Sequence, residues 1–157
     1  MRLSELFREV EFDGSIKNDA DINLVTDDSR LVRPGSLFVC IRHRSFDGHT
    51  AASDALASGA AAVVTQNRLG LENELRVADS RSAYARLCAA LCNHPERKLR
   101  MIGVTGTNGK TTVTTLIRNI LSDSGTKTLL TGTVCNRLGD ENLPSGLTTP
   151  KPPELYS

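Results

Sequence analysis

Ten residues, Gly103 to Thr112, separate a short apolar run from a segment with helical spacing. They read Gly-Val-Thr-Gly-Thr-Asn-Gly-Lys-Thr-Thr. Glycine lets the backbone curl so that successive N–H groups point at one anion, and a helix that begins there adds the positive end of its dipole. The sequence therefore predicts a loop that binds phosphate groups.

Two side chains after the glycines supply what a bound nucleoside triphosphate requires. We expect the Lys110 amine to reach the β and γ phosphates and the Thr111 hydroxyl to complete a Mg²⁺ shell. The usual G-x-x-x-x-G-K-[ST] spacing is not met strictly, because Val104 stands five residues before Gly109. The alternative is an ordinary strand-to-helix turn, where glycine and asparagine are common. Such a turn has no use for a lysine and two hydroxyls, so we favour the phosphate loop.

The flanking segments predict a strand, a helix and a second strand. Met101, Ile102 and Val104 predict the strand before the loop. Beyond the loop, five apolar residues recur at helical spacing: Val113, Leu116, Ile117, Ile120 and Leu121. Gly125 can end this helix in a left-handed cap, and an apolar run follows at 128–133. This order predicts a right-handed βαβ unit of a parallel sheet.

Composition and charge narrow the class of protein. The chain has 157 residues, of which 39% are apolar and 24% charged, as in an ordinary globular protein of one large or two small domains. A net charge of +1, with four Phe and two Tyr, argues against a dedicated nucleic-acid surface. We therefore expect no nucleic-acid partner.

The N-terminal ten residues mix charged and apolar side chains. This pattern is typical neither of a signal peptide nor of a membrane span, so we expect a cytoplasmic protein with no membrane span. The four cysteines, Cys40, Cys88, Cys92 and Cys135, form no C-x-x-C pair. Cys88 and Cys92 share a helix face and could ligate a metal with partners elsewhere. We favour reduced, buried thiols instead.

The first hundred residues alternate helical and strand patterns. Helices are predicted at Leu3 to Val10, at 51–58 with Gly59 closing the helix, and after a cap at Asp79 or Ser80. Strands are predicted at 22–26, 36–41, 61–65 and ending at Val77. The polar segment 93–98 includes a proline, so we place a domain boundary there, between residues 1–97 and 98–157.

The second domain is expected to be incomplete. A parallel sheet that carries a phosphate loop needs more strands than the two predicted, and no acidic Mg²⁺ ligand on a later strand is evident. Asp140 and Glu141 follow Leu138-Gly139, a turn-like pair, and we interpret both carboxylates as solvated. We expect a fragment with a complete first domain and only the start of a second.

Several ordered segments together resemble the Mur ligases, which build the peptide of peptidoglycan. The segments Thr26–Arg30, Arg33–Val39, Phe46–His49 and Gly59–Val64 are similar to the N-terminal domain of that family. The loop Gly103–Thr112 is similar to its ATP loop. The resemblance implies an α/β protein: an N-terminal mixed α/β UDP-binding domain (1–97), then the truncated start of a parallel-sheet P-loop ATP-binding domain (98–157).

Two branches of the family share this N-terminal pattern, one adding the third amino acid of the stem peptide and one adding D-Ala-D-Ala. Thr131–Val134 and Leu147–Pro150 resemble the branch that adds the third amino acid. That branch implies UDP-N-acetylmuramoyl-L-alanyl-D-glutamate and an incoming amino acid as partners, with ATP and Mg²⁺ as cofactors. The D-Ala-D-Ala branch and a noncatalytic nucleotide or UDP-sugar module are the alternatives.

The resemblance also assigns roles to individual residues. Lys110 binds the γ phosphate and stabilises the transferring group, and Thr111 ligates Mg²⁺. The residues that wrap the triphosphate are Gly106, Thr107, Asn108, Gly109, Lys110, Thr111 and Thr112. The residues that meet the UDP-sugar dipeptide are Ser29, Arg44, Ser45, Phe46, Thr148 and Thr149.

Plainer interpretations stay open at several of these positions. Ser29 with Asp28 could form an Asx turn, Arg30 and Arg33 could be surface charges, and Thr148-Thr149 could be loop residues before a proline. His43 stands where the family often has glycine, and we expect it to be a surface or hydrogen-bonded residue and not a ligand.

The resemblance implies an acyl-phosphate mechanism. ATP phosphorylates the glutamate carboxylate, the amine of the amino acid attacks, and the tetrahedral intermediate collapses to amide and phosphate. The family's downstream residues, among them further Mg²⁺ ligands and the domain that selects the amino acid, have no counterpart in these 157 residues. We therefore expect the fragment alone to be inactive in ligation.

Overall fold

The computed structural model describes residues 1–132, 134–143 and 151–156. Two compact units are present, residues Met1–Lys98 together with Tyr156, and residues Leu99–Leu155. Each unit is described by itself.

The first unit is built on a four-stranded parallel sheet in the order β1-β2-β3-β4. The strands are β1 (Leu24–Thr26), β2 (Ser36–Val39), β3 (Ala62–Thr65) and β4 (Glu74–Arg76). Every residue of β2 and β3 is buried. Such continuous burial is expected of central parallel strands, because both faces of the sheet are covered.

Helices cover both faces. They are α1 (Leu3–Leu6), α2 (Ala52–Ala57) and α3 (Ser80–Leu91), with 3-10 turns at Ser29–Leu31, Gly48–Ala51 and Pro95–Lys98. Leu37 and Val39 enter the larger core cluster with residues of α1 and α3. Phe38 and Cys40 enter a smaller cluster with α2. The period of two along β2 therefore divides the core into two layers.

Aspartates start three of these helical segments. Asp28, Asp47 and Asp79 each accept a hydrogen bond from the backbone amide two residues later. Each carboxylate thereby satisfies an amide that has no partner within the helix. Asp79 is one of the two caps that the sequence predicted for α3.

The second unit contains α4 (Lys110–Asp123), a small sheet and, up to Leu155, the short helix α5 (Pro152–Tyr156). The sheet is antiparallel and consists of β5 (Leu129–Leu130), β6 (Asn136–Leu138) and β7 (Glu141–Leu143) in that order. Gly125 follows α4 with a φ of 81°, and the amide of Thr126 donates to Leu121 O. The predicted left-handed end of this helix is confirmed.

The predicted βαβ unit in this part of the chain is wrong for the described residues. Residues 101–104 form no strand, and Met101 and Ile102 are 78% and 60% exposed. β5 pairs antiparallel with β6 and not parallel with a strand before the loop. A strand needs a neighbour for its backbone groups, and among the described residues nothing pairs with 101–104. Val113, Leu116 and Ile120 of α4 are exposed as well, so the described residues do not fully cover the apolar stripe of this helix.

Two other predictions made from the sequence, the fold class and the elements before residue 92, are confirmed. The mixed α/β class holds, with the parallel sheet in the first unit. Each predicted helix and strand before residue 92 is found, with shorter ends. Among the described residues, no helix has the length and apolar character needed to cross a membrane.

The four cysteines are free thiols. Cys40 and Cys88 are buried, whereas Cys92 and Cys135 are partly exposed. Burial raises the pKa of the Cys40 thiol to about 12, and burial likewise raises the pKa of Cys88 to about 12. The described residues contain no group of three or more His, Cys, Asp or Glu side chains that could hold a metal ion.

Candidate functional sites

The segments that carry Ser29 and Arg44–Phe46 leave the same edge of the first unit's sheet. Ser29 follows β1, and Arg44–Phe46 follow β2. β1 and β2 are parallel neighbours, with Thr26 opposite Phe38. Carboxyl ends of parallel strands lie at one edge, which is where ligands bind in open α/β sheets. The tertiary structure therefore brings these two predicted segments to one side of the unit.

Ser29 begins the 3-10 turn that Asp28 caps. The Asx-type bond joins Asp28 Oδ1 to the amide of Arg30 over 3.0 Å. The Arg30 guanidinium pairs with the same carboxylate, at 2.6 Å between Nη2 and Oδ2. The turn is thus held by Asp28 and Arg30, and the Ser29 hydroxyl is not part of either contact.

Residues 42–47 form a closed loop after β2. The amide of His43 donates to Phe46 O over 2.8 Å, and the amide of Gly48 donates to Ile41 O over 3.0 Å. Arg44, Ser45 and Phe46 are all exposed at the tip. Two cross-loop bonds therefore shape a short turn that presents a cation, a hydroxyl and an aromatic ring to solvent.

His49 joins this loop to the end of β3. Its Nδ1 lies 2.6 Å from Asp47 Oδ1, and its Nε2 lies 3.2 Å from the amide of Gln66. The Gln66 amide is a donor, so Nε2 accepts and the proton sits on Nδ1. The hydrogen bonds from the His49 side chain and amide lower the pKa of Asp47. His49 is therefore a hydrogen-bonded residue that helps to hold the loop.

His43 and α3 reach the same region. His43 Nε2 lies 3.2 Å from Asp27 Oδ2, and the hydroxyl of Tyr84 donates to Asp27 Oδ1 over 3.2 Å. Arg81 donates to Arg42 O over 2.6 Å. Sequence reasoning missed Asp27, Arg81 and Tyr84 as members of this region. The only local sign of this region in the sequence was the pair of adjacent aspartates, Asp27 and Asp28.

The second candidate site is the glycine loop of the second unit. Gly106 and Gly109 have φ values of 153° and 78°, which L side chains rarely adopt. Gly109 caps α4 and brings no side chain to its first amides. Lys110 is the first residue of α4, and its Nζ donates to Gly106 O over 2.6 Å and to Thr107 O over 3.3 Å.

This geometry places the lysine amine over the loop. Residues 105–112 are exposed throughout, so the amides of Thr107, Asn108 and Gly109 and the hydroxyls of Thr111 and Thr112 share an accessible region. Thr114 differs, because its hydroxyl donates to carbonyls of the preceding turn, 3.0 Å from both Lys110 O and Thr111 O. The loop, the lysine and the two threonines together form an exposed region suited to a polyanion.

The remaining predicted residues divide into two groups. Thr148 and Thr149 lie outside the described residues. Asp140 lies in the turn between β6 and β7 with its side chain fully exposed, and its Oδ1 lies 2.9 Å from Nη2 of Arg118. The exposed carboxylate of Asp140 therefore pairs with Arg118, whose side chain is only 10% exposed.

Two family models match the chain. One, described as the Mur ligase family catalytic domain, matches residues 21–94, and the other, the Mur ligase middle domain, matches residues 104–157. The first match lies within the first unit, and the second match covers most of the second unit. Together they span most of the chain.

Individual relatives agree with these models. The UDP-N-acetylmuramoyl-L-alanyl-D-glutamate--2,6-diaminopimelate ligase of Listeria monocytogenes is 38% identical over 152 residues, covering 96% of this chain and 31% of the relative. A solved structure of a ligase of that name has a TM-score of 0.76 and 29% identity, over 99% of this chain and 32% of its own. A MurF structure from Acinetobacter baumannii has a TM-score of 0.56 and 26% identity, over 76% and 27%.

This chain spans about a third of the length of these relatives. Over that length the sequence, the two family models and the fold agree on one assignment. The chain belongs to the Mur ligase family.

Proposed function

We propose that this chain is the front part of an ATP-dependent ligase that adds the third amino acid to UDP-N-acetylmuramoyl-L-alanyl-D-glutamate in peptidoglycan synthesis. The observation that carries the proposal is the exposed loop around Lys110, with its Nζ held 2.6 Å from Gly106 O at the start of α4. Membership of the Mur ligase family supports the amide-forming reaction. The cytoplasm as its location stays a prediction from the sequence.

We propose that the two units bind different parts of the substrates. We assign the UDP end of the substrate to residues 1–97, through Ser29 and Arg44, Ser45 and Phe46. We assign the triphosphate to the domain that starts at residue 98, through Gly106 to Thr112. The Lys110 amine is positioned to neutralise charge on the phosphate that is transferred, which is the main contribution a protein makes to this step.

Mg²⁺ fits the donor set of this loop. Thr111 offers a hard oxygen on the first turn of α4, and Mg²⁺ is usually held by few protein oxygens together with substrate phosphates and water. When bound, the ion would supply further charge neutralisation at the phosphates. Thr148 and Thr149 are proposed to contact the muramoyl dipeptide on the family resemblance alone.

The proposed reaction has two steps. The γ-phosphoryl group passes to the D-glutamate carboxylate, which gives ADP and an acyl phosphate. The amine nitrogen then attacks the acyl carbon, loses a proton and expels inorganic phosphate, leaving an amide. We propose that the 157 residues by themselves do not complete these steps, and robust amide formation by the isolated chain would contradict that part.

A binding experiment tests the assignment. ATP with Mg²⁺ and UDP are titrated separately into the chain by calorimetry. Lys110→Ala should weaken ATP binding at least tenfold, equivalent to about 1.4 kcal/mol, and leave UDP binding unchanged, whereas Ser29→Ala should do the reverse. Lys127→Ala is the matched control, because Lys127 is an exposed lysine beyond the end of α4. Equal ATP affinity for Lys110→Ala and Lys127→Ala would contradict the proposal.

Two alternatives are separated by further measurements. If the chain belongs to a D-Ala-D-Ala-adding ligase, the product of the full gene would join D-Ala-D-Ala to a UDP-muramoyl tripeptide. It would not join a single amino acid to a UDP-muramoyl dipeptide. The higher TM-score and coverage of the diaminopimelate-adding structure favour the third-residue branch. For a noncatalytic module, that product would bind both nucleotides and form no amide.

A further inference from the structure

The strongest unassigned feature is a set of contacts that joins the two segments proposed to hold UDP. Asp27 lies two residues before Ser29, and His43 lies one residue before Arg44. These two side chains meet across the edge of the sheet, at 3.2 Å between Asp27 Oδ2 and His43 Nε2. A direct bridge therefore connects the segment after β1 with the loop after β2.

The Asp27 end of this bridge is fixed. Its side chain is only 6% exposed, and its other oxygen accepts from the Tyr84 hydroxyl over 3.2 Å. Burial, together with the negative charge of Asp27, raises the pKa of Tyr84, so the phenol stays protonated and donates. Asp27 thus offers His43 a carboxylate oxygen whose direction is set from inside the core.

Two further contacts hold the loop from other sides. Arg81, three residues before Tyr84 on α3, donates to Arg42 O over 2.6 Å. Residues three apart share one helix face, so a single turn of α3 contacts both segments, through Arg81 and Tyr84. His49 ties the other end of the loop to Gln66 after β3, at 3.2 Å. Only the His43 bridge joins this loop directly to the Ser29 segment among these contacts.

We propose that His43 is a positioning residue that sets the separation of the Ser29 turn and the Arg44–Phe46 loop, and thereby the affinity for the uridine diphosphate end of the substrate. This inference rests on the proposed function and adds to it a residue that the family resemblance did not assign. The imidazole itself need not touch UDP. Its contribution is preorganisation, because a loop already held in its bound shape loses less conformational freedom on binding.

The Asp27–His43 contact is partly open to water. The His43 side chain is 39% exposed, so solvent screens the pair and its effect on global stability should be small. Its effect on binding should be larger, because both segments that it joins contribute predicted UDP contacts. A difference between the two effects distinguishes positioning from a purely structural role.

Calorimetric titration with UDP tests the proposal on the complete 157-residue chain. His43→Ala should weaken UDP binding about fivefold through loss of preorganisation, with ATP affinity and the thermal midpoint unchanged. His43→Gln should restore most of the affinity, because the amide nitrogen of Gln can take the place of Nε2 as a donor. Amide hydrogen exchange in residues 28–30 and 43–46 should quicken in His43→Ala and return towards the parent rate in His43→Gln.

The matched control is His94→Ala. His94 also lies beside a carboxylate, at 3.0 Å between Nδ1 and Glu96 Oε1, but it follows the C-terminal end of α3. This variant should bind UDP as the parent does. UDP affinity of His43→Ala equal to that of the parent would overturn the proposal, as would an equal loss in His94→Ala. Failure of the parent itself to bind UDP would instead overturn the proposed function, and the inference with it.

Discussion

Gly48 packs directly against the backbone of Ile41. Its amide donates to Ile41 O over 3.0 Å, and a Cβ added to Gly48 would lie 2.8 Å from Ile41 N. Real Cβ atoms essentially never approach backbone so closely. The loop that carries Arg44, Ser45 and Phe46 closes at this contact, so its shape depends on the missing side chain.

Gly48→Ala should therefore destabilise the first unit and distort the loop. We expect a loss of about 1–3 kcal/mol in the free energy of unfolding, as for other overpacked sites, and weaker UDP binding. Urea denaturation followed by circular dichroism measures the first effect. Gly132→Ala is the control, because a Cβ at Gly132 would meet nothing within 4 Å. Equal stability of the two variants would contradict the prediction.

Glu74 organises the segment between β3 and β4. Its carboxylate accepts from the amides of Leu69, Gly70 and Leu71 at 2.8–3.1 Å and from the Thr65 hydroxyl at 3.0 Å. Burial raises the pKa of Glu74, but these donors outweigh burial and lower it below its ordinary 4.5. A carboxylate whose pKa is lowered on folding stabilises the folded state at any pH above its ordinary pKa. This stabilisation is lost as the pH falls through the lowered pKa.

Glu74→Gln should cost about 1–2 kcal/mol at pH 7, because one acceptor oxygen and the charge are lost. The difference from the parent should shrink as the pH falls below 4.5. Unfolding free energies at pH 7, 5, 4 and 3 check both statements. Glu72→Gln is the control, since Glu72 forms only an exposed pair with Lys17 at 3.6 Å among the contacts described. A difference that stays constant with pH would contradict the prediction.

Thr111 is the proposed Mg²⁺ ligand on the first turn of α4. Thr111→Ala should weaken binding of ATP with Mg²⁺ about tenfold, whereas Thr111→Ser, which keeps the hydroxyl, should bind like the parent. Chelation of Mg²⁺ with EDTA should weaken ATP binding by the parent more than ATP binding by Thr111→Ala. Thr126→Ala, an exposed threonine beyond α4, serves as the control. If EDTA weakens ATP binding by the same factor in the parent and in Thr111→Ala, Thr111 does not ligate Mg²⁺.

The four thiols should differ in reactivity. Cys40 and Cys88 are buried and their pKa values are raised to about 12, so they lack both access and thiolate at neutral pH. Cys92 and Cys135 are partly exposed. Brief alkylation with iodoacetamide at pH 7.5 should label Cys92 and Cys135 at least tenfold faster, as mass spectrometry of peptides would show. In guanidinium chloride all four rates should converge, and native labelling of Cys40 at the rate of Cys135 would contradict the prediction.

Local sequence determined much of this protein. Asp79 predicted the start of α3 and Gly125 the end of α4, because caps and left-handed ends depend on neighbouring backbone groups. The glycine loop before Lys110 was recognisable for the same reason, since its amides and side chains come from consecutive residues. The family resemblance added the Ser29 and Arg44–Phe46 segments, whose common edge follows from parallel pairing of β1 and β2.

Tertiary structure alone decided which distant side chains meet. His43 reaches Asp27 across 16 residues, and Tyr84 reaches the same carboxylate across 57. No periodicity or spacing predicts such contacts, because they depend on strand order and on the face that α3 turns to the sheet. The strand predicted at 101–104 failed for a related reason. Its apolar pattern is strand-like, yet a strand forms only where a neighbour pairs with its backbone, and no described residue supplies that neighbour.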